Sequence, residues 1–319
     1  WERRRARLRS LQARLRGALG RSLRRLPEEP AMRRLECAEC LKRQGSQDFT
    51  EANVANVARS VRELWEDRLE ADGLDGALAE KLHTGFPELE EWTSDEVVRR
   101  MLRAAGGHER EAVQLLAKAV ECRVRDRELF ASMRCEPTCD MRVIGYDVEQ
   151  RPTIYVCARS QRTPLKDLRP QIFLAFEAAA RLTSPDGQVV LLADMTGFSA
   201  GLNMDPFVLR ELAECFGSVF ADRVGSVLII DFSVLAQAMW STCQALLSDR
   251  TRRKINFLGE RQLRSIAKER FDAASCERIL SAVDINRRRS STAKERAVHA
   301  QRTSVTATPL GEPEADKAG

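Results

Sequence analysis

Nine cysteines and three histidines are the residues of this 319-residue chain best suited to bind a metal or carry redox chemistry. Their spacing supports neither use. Cys37 and Cys40 form a CxxC, and Cys135 and Cys139 a CxxxC. A zinc site built on either pair needs two more ligands close by, and His83, His108 and His299 are scattered. Neither pair precedes a helix within a βαβ pattern, as a thioredoxin-like redox motif would. Reduced thiols suit a cytosolic protein, so neither a metal nor a cofactor is expected. The motifs of catalysis are missing as well. The chain has no G-x-S-x-G elbow, no G-x-x-x-x-G-K-[ST] loop and no G-x-G-x-x-G turn. Ala200, Gly201, Leu202 and Asn203 make too short a stretch to cradle a phosphate, and no histidine stands beside a plausible nucleophile. No catalytic activity is expected from these residues.

Charge sets a second bound. The net charge is +5, with 43% hydrophobic and 31% charged residues. Residues 1–36 hold 12 Arg against 4 Glu, and residues 286–319 hold 7 basic groups against 4 acidic ones, leaving −6 for the stretch between. A nucleic-acid-binding core would show the reverse distribution, so no nucleic-acid partner is expected. No apolar run approaches the roughly 20 residues that span a bilayer; the longest, 189–193 and 227–230, are strand-sized. No secretory signal is visible, and the chain starts at Trp1 in place of Met, as a fragment would.

The elements that must position any site follow from periodicity. Leu8, Leu11, Leu15, Leu19, Leu23 and Leu26 recur at spacings of three and four among arginines, ended by Pro27 and Pro30. This predicts a basic amphipathic helix over 5–26, which either lies on an anionic membrane or packs its leucines on the domain or a protein partner. Residues 48–82 read as mostly helical, with Val54, Val57, Val61, Leu64 and Trp65 on one face. Residues 93–130 read as two helices broken at Gly106 and Gly107, the second from about 109 to 129 along Ala112, Leu115, Leu116 and Ala119. After Pro137 the pattern changes to strands at 141–145, 153–158, 188–194, 226–231 and 254–258, with helices at about 170–182, 205–217 and 233–247. Strands alternating with helices predict a mostly parallel sheet covered by helices. Residues 286–319, rich in Arg, Ser, Thr and Ala and lacking aromatics, read as a disordered tail. Within it Arg287, Arg288 and Arg289 precede Ser290 and Ser291, a string in which phosphate would cancel local positive charge. Four segments result: a basic helix and linker at 1–47, a helical module at 48–135, an α/β domain at 136–285 and the tail.

Four stretches in this order resemble the CRAL-TRIO family of lipid-binding domains. Met101, Leu102, Arg103 and Ala104, followed by Glu111 and Ala112, look like the helical module that precedes such a domain. Residues 145–155, with Gly145, Asp147, Arg151 and Pro152, resemble the family's G-x-D-x-x-G-R-P hairpin, with Gln150 in place of the second Gly. Residues 190–199, with Asp194, Gly197 and Ser199, resemble its strand ending in D-x-x-G-x-S. Residues 220–225 and 249–255 resemble its Y-P-E-R-x-G and T-x-x-K-I stretches.

The resemblance implies an α/β fold whose lipid cavity is closed by a gate helix at 233–247, preceded by an all-helical module. It also implies a lipid-binding set of Tyr155, Ser199, Asp222, Leu235, Met239, Cys243, Leu246 and Lys254. Ser199 would stand near a head group, and Asp222 and Lys254 hold positions that secure the head group in inositol-lipid-binding members. Leu235, Met239, Cys243 and Leu246 lie along one broad side of the gate helix, where ordinary core packing is the plain alternative. Four departures qualify the ligand: Ala105 and Gly106 stand where the family carries a basic pair, Gly201 where it carries a further hydroxyl, and Phe232 and Ser233 where a Pro follows the strand, while the family's closing Gly-Gly is absent around 275–286. The implied function is to bind, transfer or present one hydrophobic amphiphile between membranes, in the cytoplasm, with transient attachment to an anionic surface. The alternative is an adaptor that keeps the fold and binds a partner protein through its N-terminal helices.

Overall fold

A computed structural model describes residues 49–70, 92–203, 205, 208, 212, 216–233 and 252–305. The expected basic helix at 5–26, Cys37 and Cys40, and nearly all of the expected helix at 233–247 lie outside the described residues; the helix expected at 205–217 is described only in part.

Helix α1 (Glu51–Glu70) buries Val54, Val57, Ala58, Val61 and Trp65, the three-and-four spacing of a helix with one apolar face. Helix α2 (Asp95–Ala104) opens with Asp95 and Glu96, which suit the positive end of the helix dipole. It ends where Gly106 and Gly107 take φ of 63° and 90°, letting the Gly107 amide turn back to the Leu102 carbonyl at 2.8 Å. Helix α3 (Glu109–Arg125) then buries Ala112, Leu116, Ala119 and Val120. The sequence predicts one helix to about 129; the chain instead bends at Asp126 and restarts as α4 (Arg127–Ser132). Asp126 accepts from Arg169 at 2.8 Å, a long-range contact that no local pattern reveals.

Five strands follow: β1 (Asp140–Tyr146), β2 (Pro152–Cys157), β3 (Val189–Asp194), β4 (Val224–Ile230) and β5 (Ile255–Leu258). They lie in the order β1-β2-β3-β4-β5, antiparallel between β1 and β2 and parallel thereafter. Asp147 organises the β1–β2 turn, accepting from the backbone amides of Glu149 and Arg151 and from the Arg151 guanidinium. Gln150, where the family pattern has Gly, holds φ at 61°. Gly145 is required for a different reason: a Cβ there would meet the Ser275 Oγ at 2.0 Å.

Because side chains alternate along a strand, the register sorts the sheet into two faces. Tyr155, Leu192 and Leu228 are partners on one; Ala193 and Ile229, and Leu191 and Val227, on the other. Helices α6 (Glu260–Arg270) and α7 (Ala273–Arg287) cover the first face with Leu263, Ala267, Ile279, Ala282 and Val283. Helix α5 (Arg169–Ala180) covers the β1–β2 part of the second face. Its Phe173 and Phe176 join Phe216 and Phe220 in an aromatic cluster with ring centroids 4.6–5.8 Å apart. The helices α1 to α4 contribute to this same core.

The disordered tail expected over 286–319 is corrected for residues 286–305; residues 306–319 lie outside the described residues. Helix α7 runs through Arg287, and α8 (Ala293–Thr303) follows a short turn. Thr292 and Glu295 form a capping box, and Asn286 and Ser291 are buried. Helix α8 buries no side chain, so apolar patterning carries no trace of it. Polar contacts hold it instead: Ser281 with His299 at 2.7 Å, Arg142 with Thr303 at 2.8 Å, and the Val305 amide with the Val143 carbonyl at 2.9 Å.

Candidate functional site

At the amino end of β4, Asp222 sits in a left-handed turn with φ 54° and a side chain only 2% exposed. The turn is fixed from α2. Arg100, itself fully buried, donates to the Ala221 carbonyl at 2.6 Å, and Arg103 meets Asp222 Oδ2 at 3.1 Å. Lys254, just before β5, reaches Asp222 Oδ1 at 3.2 Å and the Val224 carbonyl at 2.6 Å. Asp222 and Lys254, 32 residues apart in sequence, are thus brought into contact, and Arg103 completes the group. Arg103 lies within the Met101 to Ala104 stretch, but its role was invisible because α2 and β4 are distant in sequence. Burial pulls the Arg100 guanidinium down to about 9, and the nearby cations Arg223 and Arg123 push the same way. Arg252 and Arg253, just before Lys254, are exposed.

At the opposite, carboxyl end of β3, Ser199 is exposed, and its backbone amide donates to Asn203 Oδ1 at 2.6 Å. Asn203 in turn donates to Gln161 Oε1 at 2.8 Å, anchoring this turn to the chain after β2. Asp194, the first residue of the D-x-x-G-x-S stretch, is wholly buried. It accepts from the Thr196 amide, from the Tyr155 hydroxyl at 3.2 Å and from Arg287 at 3.0 Å. Arg287 also meets Asp231 and Glu260, so one guanidinium ties together the ends of β3 and β4 and the start of α6. Burial works against that charge, but Asp194 and the other carboxylates prevail and raise its pKa.

Between these polar ends lies the second sheet face. Ala193, Val227 and Ile229 form its centre, with Leu191, Val156, Met195, Phe232 and Ile255 packed around them. Phe257 of β5 is 42% exposed and lies with its ring 4.7 Å from that of Phe232. The six residues of β3, at about 3.3 Å each, separate the two polar ends by roughly 17 Å.

Tyr155 does not belong to that surface. It points to the face under α6 and α7 and is fully buried. Its hydroxyl donates to Asp194 and accepts from Asn286 at 3.1 Å, while Arg142 lies over its ring. Burial first, then the negative charge of neighbouring groups, raises its pKa well above the usual phenol range. The expectation that Tyr155 lines a lipid cavity is therefore corrected: it is a structural post, placed by the strand alternation that sends Ile154 and Val156 the other way. Leu235, Met239, Cys243 and Leu246 lie outside the described residues. Burial likewise raises the thiols of Cys139 and Cys157, to about 11 and about 12, away from reactive thiolates. Among the described residues no three His, Cys, Asp or Glu gather as a metal site would need, and no helix is long and apolar enough to cross a membrane.

These features define an α/β domain with a helical N-terminal module and one apolar sheet face running between two polar ends. Residues 141–279, less than half of the chain, match the family model of the CRAL/TRIO domain. Among solved structures, the crystal structure of Sfh5 is similar at 12% sequence identity, covering 66% of this chain and 82% of that one with a TM-score of 0.46. No curated protein matches the sequence.

Proposed function

We propose that the domain encloses a single amphiphile, a phospholipid or another lipid, and transfers or presents it between membranes. The observation carrying this reading is the apolar patch of Ala193, Val227 and Ile229 with the residues packed around them. A hydrophobic-ligand site needs such a surface and a few polar groups to orient the ligand. In this reading Ser199 orients the polar end at one side of the patch, the group of Asp222, Lys254 and Arg103 bounds the patch at the opposite end, and Leu235, Met239, Cys243 and Leu246 contribute the wall that faces the sheet. Loading and unloading take place in the cytoplasm during transient attachment to an anionic membrane, aided by the basic segment at 5–26.

The test is uptake of a fluorescent phospholipid and a fluorescent sterol by Ala193→Phe and Val227→Phe proteins. Each adds bulk to the patch without adding charge. With circular dichroism unchanged, both variants should lose at least about tenfold in uptake. Uptake equal to wild type in both folded variants would remove the sheet face from the site. If the wild-type protein takes up neither probe, the adaptor reading gains, with the N-terminal helices as its contact surface.

A further inference from the structure

Ser290 and Ser291 follow the same three arginines, yet the structure gives them different parts. Ser291 is buried; its hydroxyl contacts the Ile285 and Arg288 carbonyls, both at 2.8 Å, and fastens the turn between α7 and α8. A phosphate there would have no proton to donate and no room. Ser290 is exposed in the same turn, beside exposed Arg288 and Arg289. Arg296, one turn into α8, reaches back to the Ser291 carbonyl at 2.6 Å, next door to Ser290. Glu295, in the first turn of α8, lies in the field of the same cations. Its pKa is lowered first by hydrogen bonds with Thr292 and further by the charges of Arg288 and Arg296. Arg287 takes no part, being held by Asp194, Asp231 and Glu260.

We propose that Ser290 is a phosphorylation site for an arginine-directed protein kinase, and that its phosphate pairs with Arg288 and Arg296 to pin α8 onto β1 and α7. In the transfer step the Ser290 Oγ attacks the γ-phosphorus of ATP. The new O–P bond forms as the bond to ADP breaks, ADP keeps that electron pair, and the serine proton passes to the kinase's catalytic carboxylate. A phosphoserine opposite arginines forms up to about three charge-assisted hydrogen bonds. Helix α8 is the element with most to gain, because it buries no side chain and depends on polar contacts.

The experiment uses the full chain, ATP and an arginine-directed kinase, with the modified residue mapped by mass spectrometry. Phosphate should enter at Ser290, disappear in Ser290→Ala and persist in Ser291→Ala. Amide exchange across 292–303 should slow by roughly two- to fivefold on phosphorylation, the effect of one favourable charge interaction at a helix end. Arg296→Gln should abolish the slowing without reducing incorporation. Incorporation at Ser291, or none, overturns the proposal. So does phosphate at Ser290 with exchange unchanged or faster.

Discussion

Arg287 and Arg289 stand two residues apart in one basic run, yet their replacement should have very different effects. Arg287→Met withdraws the cation from Asp194, whose side chain has no exposure, and leaves it with the Tyr155 hydroxyl and the Thr196 amide. Removing one partner of a buried pair costs about 3–5 kcal/mol. The two remaining donors place the Asp194 contribution near the lower end. Asp231 and Glu260, at 40% and 37% exposure, add less than about 1 kcal/mol each because water screens them. The expected loss is therefore about 3–4 kcal/mol. At about 2–4 °C per kcal/mol for a domain of this size, the unfolding midpoint should fall by roughly 10 °C. Arg289→Met, at an exposed position, should stay within about 0.5 kcal/mol of wild type. Adding Asp194→Asn to Arg287→Met should recover a large part of the loss, because the uncompensated buried charge is then gone. Urea and thermal unfolding of the four proteins supply the readout. Equal stability of the two arginine variants, or no recovery in the double variant, would refute the assignment of Arg287 as the link between α7 and the ends of β3 and β4.

Gln150→Gly should raise stability by about 0.5–1 kcal/mol, since Gln150 holds φ at 61°, where a side chain is penalised and glycine is not; a rise in the urea midpoint checks it. Tyr155→Phe should cost about 1–2 kcal/mol by removing the hydroxyl that Asp194 and Asn286 share, yet leave lipid uptake unchanged. A loss of uptake in the folded variant would return Tyr155 to the binding surface. Burial first, and then the charge of Arg142, lowers the His299 pKa, so the folded state favours the neutral ring. Stability from this group is accordingly full above the unfolded value of about 6.5 and is lost as pH falls from there towards the folded pKa. His299→Gln should flatten that part of the stability profile between pH 7 and 5.

The strands at 188–194 and 226–231 were legible because both faces of a central parallel strand are buried, and an unbroken apolar run has few other uses. Asp222 and Lys254 were found through motif resemblance, and the fold does join them. Arg103 was missed because nothing local links α2 to the turn before β4. Tyr155 was misplaced for a related reason: strand alternation separates it from Ile154 and Val156, but a lone sequence does not say which face each set occupies. The helical stretch after 286 escaped because α8 is held by caps and polar contacts. Hydrophobic periodicity records apolar burial, and α8 has none to record.

The central proposal is that this domain carries one lipid-like ligand against the face formed by Ala193, Val227 and Ile229. Native mass spectrometry of the full chain, after gentle purification and again after mixing with vesicles of phosphatidylcholine, phosphatidylinositol and cholesterol, tests it most directly. The account predicts one lipid-mass adduct per chain, released on unfolding and absent in folded Ala193→Phe. A wild-type protein that stays free of lipid under both conditions, or an Ala193→Phe variant carrying the same adduct at the same occupancy, would contradict it.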